Sequence, residues 1–426
     1  MSKIHTLLRE STTTSSSSLG RPDLVALTRA TTKLIYSDIV AEQRTSQPVA
    51  ALYGIKYLNP NDDMTFTSGA TYAGPFGTKE RKTVVEITDA NKATFTTGKY
   101  FKYKDIVYKV LGVSVTDGTT ETDLDFMIQE SMVLLNIRSV HEAAETAKFE
   151  ASDVEVSEAS FEVSKWNAPV KSRKLKTALT VELMQDLEAN GFNSPNFVED
   201  LLATEMADEI NKDIIQSLIT VSSRYKVTGE TDKGILDLTT VEDPLAGRKL
   251  YRMVCEINSH IQRTTSYSGT YVVASTRVAA VLASSGWLKH KPEDDQYLSP
   301  AAYGFLANGL PLYCDASSPL DYVIVGVKED FGELEMVGSL FYAPYTEGLD
   351  LEDPEHVGAF KVIVDPESLQ PSVALLVRYA LSANPYTVAK NEADARIIDA
   401  TDMDKMAGQS DMSVLLGVKL PKLIAG

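Results

Sequence analysis

A mixed α+β chain built in several layers is predicted by three features of the sequence. They are one uninterrupted helical run from Asn196 to Val221, a compact alternation of helices and strands between Thr240 and Leu340, and a β-rich excursion between Val49 and Glu145. A length of 426 residues suits two or three domains at about 100 to 200 residues each. The formal net charge of -18 argues against a nucleic-acid-binding surface, which needs clustered Lys and Arg to displace counterions. No run approaches the roughly 20 apolar residues of a membrane span, and the N-terminus lacks the apolar core of a signal peptide, so no membrane partner is expected. Cys255 and Cys314, far apart and flanked by apolar residues, read as small buried hydrophobes in a chain made in a reducing cytoplasm.

In chain order, residues 11–18 read STTTSSSS, too polar to offset chain entropy by burial, and so form an arm or linker. Leu24, Leu27, Leu34, Ile35 and Ile39 follow at partly helical spacing, which suggests a short docking helix within Asp23 to Ala41. A strand is predicted from Val49 to Leu58, stopped by Asn59-Pro60-Asn61. From Asp62 the aromatic residues Phe66, Tyr72 and Phe76 lie among Thr, Ser and Gly, a composition that suits an extended excursion. Four short strands are then predicted at Thr83 to Thr88, Ala93 to Thr97, Tyr100 to Lys104 and Ile106 to Val115. Phe126 to Glu145 reads as irregular or helical.

Val154 to Val163 alternates as a strand, with Val154, Val156, Phe161 and Val163 on one side and acidic residues on the other. The basic run Lys171-Ser172-Arg173-Lys174-Leu175-Lys176 comes next. It is either a solvated strand edge protected by charge or a contact with an acidic neighbouring molecule, through Lys171, Arg173, Lys174 and Lys176. A short helix follows from Thr180 to Asn190, closed by Gly191.

The helix after it begins with Asn196 as cap and Glu199 and Asp200 in its first turn. Val198, Leu202, Met206, Ile210, Ile214 and Leu218 recur every four residues. Four steps overshoot a turn by about 40°, so the apolar line winds around the helix. Such a helix is a spine that meets different layers along its length, unless it is an ordinary core helix. Beyond it, helices at Pro244 to Gln262 and Thr276 to Ser284 alternate with strands at Tyr271 to Ala274, Leu310 to Tyr313 and Tyr322 to Val327, around a polar loop from Lys289 to Gln296. Ala359 to Val364 and Ser372 to Ala383 form a hairpin buried on both faces, and Val414 to Val418 a last short strand.

The sequence holds little that points to catalysis. None of His5, His141, His260, His290 and His356 has a second His or Cys at metal-ligand spacing. There is no nucleophile elbow, phosphate loop or dinucleotide fingerprint. The acidic stretch of Glu347, Asp350, Glu352, Asp353 and Glu355 lacks the alternation and central Gly of a calcium loop. Glu205 and Glu209, one turn apart, suit a solvated face or pairing with Lys212 better than an acid/base dyad. No catalytic residue, metal or cofactor is expected.

The spine string Ala203-Thr204-Glu205-Met206-Ala207-Asp208-Glu209-Ile210-Asn211, together with Phe341-Tyr342-Ala343-Pro344-Tyr345 and Arg378-Tyr379-Ala380-Leu381-Ser382-Ala383-Asn384-Pro385-Tyr386, resembles the major capsid proteins of T-even-like tailed bacteriophages. The resemblance runs in order over roughly residues 20–390. It implies the Hong Kong 97-type capsid fold. In that fold residues 1–48 are an N-terminal arm, 49–145 an extended loop with a β-rich insertion, 146–239 and 341–426 a peripheral domain around spine helix 197–221, and 240–340 an axial α/β domain. It implies a structural protein that assembles in the host bacterial cytoplasm into the icosahedral or prolate head shell of the virion. The partners implied are other copies in capsomer rings and neighbouring capsomers, with decoration, vertex, portal and scaffold proteins, around DNA that is enclosed without sequence-specific binding. Phe66, Tyr72, Phe76 and the basic run would be inter-subunit contacts. Members with a precursor lose an N-terminal segment after an Ile/Leu-x-Glu sequence; Leu8-Arg9-Glu10 matches loosely, and the sequence is short at that end. The alternatives are a bacterial nanocompartment shell of the same fold and a soluble α/β enzyme.

Overall fold

Two sheets share one long helix, and that helix sets their relation. The computed structural model describes residues 34–58, 137–139, 301–330, 336–345, 358–364, 370–384 and 400–421, almost all of 194–290, and parts of 84–91, 98–110 and 160–185. The spine helix spans Ser194–Val221, about 42 Å at 1.5 Å per residue. It starts two residues before the expected cap Asn196, because Pro195 fits a first helical turn, where its missing N–H is no loss. Glu199 and Asp200 consequently fall in the second turn. Leu202, Met206, Ile210, Ile214 and Leu218 are all buried, as the four-residue recurrence requires.

The helix meets different layers along its described length. Midway, Glu209 and Asp213 face the strands Lys171–Ala178 and Pro371–Ala383. At the C-terminal end, Ser222 Oγ donates to Ser413 Oγ at 2.8 Å, and Gly408 N–H donates to the Thr220 carbonyl at 2.9 Å. The arm lies between, where Ile35 N–H donates to Asn211 Oδ1 at 3.1 Å. One core therefore joins spine, arm and both sheets.

The larger sheet has nine strands, in the order Leu288–His290, Gly304–Leu306, Pro311–Asp315, Tyr271–Ser275, Tyr322–Gly326, Ser410–Lys419, Ile235–Asp237 and Thr231–Asp232, with Ser222–Arg224 also on Ser410–Lys419. Helices Leu245–Thr265 and Thr276–Ser284 cover one face through Leu250, Met253, Ile257, Val278 and Leu282. The spine covers the other through Tyr271, Val273, Tyr322 and Ile324. The last strand differs from expectation. It is ten residues long and lies inside this sheet rather than with the hairpin. Met412, Val414, Leu416 and Val418 point to the helices and Leu415 to the spine, so it needs cover on both faces. Lys289 and His290, expected in a loop, end a strand paired with Gly304 and Phe305. Cys255 and Cys314 are free and half-buried rather than buried.

The smaller sheet has five strands, with Pro371–Ala383 central. Leu340–Pro344 and Gly358–Val364 follow one another along one side of it and the basic strand Lys171–Ala178 takes the other. The hairpin is not buried on both faces. Val373, Leu375, Val377 and Tyr379 are buried against the spine, whereas Val362, Ile363 and Val364 are 54%, 44% and 56% exposed. The hairpin outreaches the helix that would have to cover it.

Val49–Leu58 forms as predicted and pairs over all its length with Ser160–Pro169 as a two-stranded ribbon. At its root Ala50, Leu52 and Ala168 are buried against Ala343 and Ala380. Trp166 Nε1 donates to Ser382 Oγ at 3.0 Å and its ring meets Phe341 edge-on. In the insertion, Tyr100–Tyr103, Ile106–Val110 and Ile137–Ser139 make a three-stranded sheet. Its third strand comes from the stretch that read as irregular or helical. Residues 84–88 carry a bridge at Glu86 instead of a strand. Phe66, Tyr72, Phe76, the STTTSSSS arm, Ala93 to Thr97, Val154, Val156, most of the helix at 180–190 and the acidic stretch 347–355 lie outside the described residues.

Candidate assembly surfaces

Strand alternation divides the basic run between two faces. In register, Val377 opposes Arg173 and Tyr379 opposes Lys171, while Ala374 opposes Lys176 and Leu376 opposes Lys174. Directly opposed residues share a face, so Arg173 joins Val377 and Tyr379 on the spine side. There Arg173 lies 3.2 Å from Glu209 and 3.0 Å from Asp213. Its Nε donates to the Tyr379 hydroxyl at 2.8 Å, and that hydroxyl donates to Asp213 Oδ2 at 2.6 Å. Burial first and the bond to Asp213 second push the Tyr379 phenol up to about 12, against the pull of Arg173. Arg173 thus serves an internal network that ties the sheet to the spine. The pairing expected between Glu205 or Glu209 and Lys212 is replaced: Glu209 takes Arg173, and Lys212 takes Asp208 one turn back.

The opposite face is different in kind. Lys174 and Lys176 are exposed there beside the half-buried Leu376 and Ala374. Lys361, exposed, opposes Ala374 from the hairpin strand. Arg378 belongs to the same face by alternation and stacks over the Tyr345 ring at 4.3 Å. Neither Lys361 nor Arg378 was singled out in the sequence. Each is one cation in an otherwise apolar strand, and only the pairing register brings them to the lysines.

The ribbon offers a second surface. On the face opposite its buried root residues Tyr53 is 63% exposed and Val163 55% exposed, with Lys165 over the Tyr53 ring. An isolated two-stranded ribbon is marginal in water, so apolar groups along it call for cover. Among the described residues no group of three His, Cys, Asp or Glu side chains is placed to hold a metal, and no helix is long and apolar enough to cross a membrane.

A spine helix shared by two sheets, a projecting ribbon and a docked arm make an α+β subunit of the Hong Kong 97 type, the building block of a tailed-phage shell. Comparison with known proteins carries this further: residues 17–418 match the major capsid protein Gp23 family, and the chain belongs to that family. The chain is 69% identical to the capsid vertex protein of Enterobacteria phage T4 over 100% of this chain and 99% of that one. It is 25% identical to the major capsid protein of the same phage, over 87% of this chain and 76% of that one. Among solved structures, a chain from Mycobacterium phage Bobi matches over 97% of each at 10% identity and a TM-score of 0.42; the weight rests on the sequence matches. The protein is a structural component of the virion capsid of a T4-like phage, not an enzyme.

Proposed function

We propose that this chain is the vertex subunit of the head: its copies close the fivefold corners of the shell, while a related major capsid chain tiles the faces. The observation that carries this reading is the contrast between 69% identity to a capsid vertex protein and 25% identity to a major capsid protein. It refines the expectation of a major capsid protein drawn from the sequence. The same identity favours the phage shell over a nanocompartment. In this reading the ring forms through the nine-stranded, axial part, and the ribbon and arm reach across to adjoining subunits. Affinity per contact is modest, but closure multiplies contacts and the shell is stable collectively. The net charge of -18 keeps packed DNA from adhering to the wall. Decoration, portal and scaffold proteins are the further partners.

Quantitative mass spectrometry of purified heads, with labelled particles imaged by electron microscopy, tests the assignment. The expected result is a minor component located at the corners. A chain that dominates the shell and occupies its faces would overturn it.

A further inference from the structure

We propose that the outer face of the five-stranded sheet, carrying Lys174, Lys176, Lys361 and Arg378, docks against an acidic face of a neighbouring copy of this chain. The inference rests on the shell reading above and adds to it a defined surface and the charge of what that surface meets.

The two hairpin strands and Lys171–Ala178, far from them in sequence, build the face. Lys176, Ala374 and Lys361 form one row across it, Lys174 and Leu376 the next, and Ser172 and Arg378 a third. With strands about 4.8 Å apart and alternate residues about 6.8 Å apart along each strand, the four cations fall within roughly 10 by 14 Å. That is about one Debye length at physiological salt, so they act on a partner together. Among the described residues none of Lys174, Lys176 and Lys361 has a carboxylate partner, whereas Arg173 one residue away has two. Several cations elsewhere on the described surface are paired, Arg252 with Glu230 and Glu256, Arg277 with Asp321 and Lys419 with Asp237; what distinguishes this face is that its cations lie side by side. A cluster of like charges without counter-charge, in a chain with 59 acidic against 41 basic residues, has its complement in almost any other face of a second copy.

The apolar residues within the face argue for a protein occupant over nucleic acid. Leu376 and Ala374 lie between the lysines, and Ile363 is exposed on the same face one row beyond. A groove for a single nucleic-acid strand offers open aromatic rings for base stacking, whereas the Tyr345 ring here is taken by Arg378; aliphatic groups between cations suit a protein surface of carboxylates and aliphatics. Charge complementarity of this kind governs encounter and register more than raw affinity.

The test introduces Lys174→Glu with Lys361→Glu into the full chain in phage, and measures how much of it enters heads. Incorporation should fall at least about tenfold, with the far-UV spectrum and melting temperature of the isolated subunit unchanged, since both side chains are exposed and neither has a carboxylate partner among the described residues. A second arm places a photo-crosslinking side chain at position 361 of the otherwise natural chain. Crosslinked dimers joining position 361 to an acidic peptide of another copy are expected. Full incorporation of the charge-reversed chain, or crosslinks only within one chain, to DNA or to a different protein, would overturn the proposal. The natural chain being absent from heads would overturn the shell reading and this proposal with it; its presence beside a fully incorporated variant would overturn this proposal alone.

Discussion

Arg173 carries the same charge as Lys174 and Lys176, yet one step of alternation gives it a different task. Its guanidinium sits between Glu209, Asp213 and the Tyr379 hydroxyl, where each group answers another. Removing the hydroxyl with Tyr379→Phe leaves Asp213 and Arg173 each short of one bond. A loss of about 1 kcal/mol in unfolding free energy is expected by denaturant titration, small because the charged members are a third exposed and water replaces part of what is lost. Arg173→Ala should cost more, about 1 to 2 kcal/mol, since two carboxylates then lose their cation. The same tyrosine sets a pH limit. Its phenol is raised from 10.0 to about 12, so below pH 10 both folded and unfolded states keep the proton and stability is fully present. Between those values the unfolded chain ionises first, and stability falls as the pH rises. Burial moves Tyr271, Tyr313, Tyr322 and Tyr342 the same way, and they add to the fall. The melting temperature should therefore hold to about pH 9 and drop steeply by about pH 11, with the tyrosinate absorbance of these five side chains appearing only on unfolding; loss of that absorbance change in Tyr379→Phe before unfolding, showing that Tyr379 ionises near pH 10 in the intact fold, would contradict this.

Among the elements, the helices Leu245–Thr265 and Thr276–Ser284 meet at Gly247. A methyl group there would lie 2.5 Å from the Val281 carbonyl oxygen and 2.9 Å from the Ser285 nitrogen. Both are backbone atoms that cannot swing aside, so Gly247→Ala should force the helices apart and lower stability by about 1 to 3 kcal/mol; an unchanged melting temperature would show that the contact is loose. Elements set by local pattern were legible in the sequence. The spine stripe, the strand Val49–Leu58 and the helix Thr276–Ser284 follow from periodicity and from stop signals within a few residues. What depended on distant partners was not. The apolar run in Gly358–Val364 reads like a buried strand, but burial depends on whether the spine reaches it, and it does not. The strand Ser410–Lys419 reads as short because its polar first residues, Ser410, Asp411 and Ser413, match no surface-strand pattern; they fit because Ser410 pairs with Ser222 at the end of the spine and Ser413 Oγ accepts from Ser222 Oγ. Lys361 and Arg378 carry no signal alone, since a shared face is a property of register.

For the whole molecule, what matters is which parts a single subunit can stabilise by itself. The core around the spine includes the arm only from Ile35 onward among the described residues, so deleting residues 1–20 should leave a folded subunit with an unchanged far-UV spectrum. The yield of heads should fall; a truncated chain that fails to fold would count against the arm assignment. The extended loop raises the same question more sharply. Among the described residues its ribbon is anchored where Ala50, Leu52, Ala168 and Trp166 meet the five-stranded sheet, while Tyr53 and Val163, on the ribbon's other face, are exposed. Phe66, Tyr72 and Phe76 come later still, in a stretch of Gly, Ser and Thr with too little apolar surface to bury them itself. The expectation to test is that a neighbouring subunit in the shell covers them, each aromatic ring so buried contributing about 1.5 to 3 kcal/mol before ordering costs. On that expectation, replacing all three with Ser should change the melting temperature of the isolated subunit little and should block incorporation into heads. If the triple variant melted several degrees lower as an isolated subunit, the rings would belong to the core of their own chain, and the loop would not be a clamp.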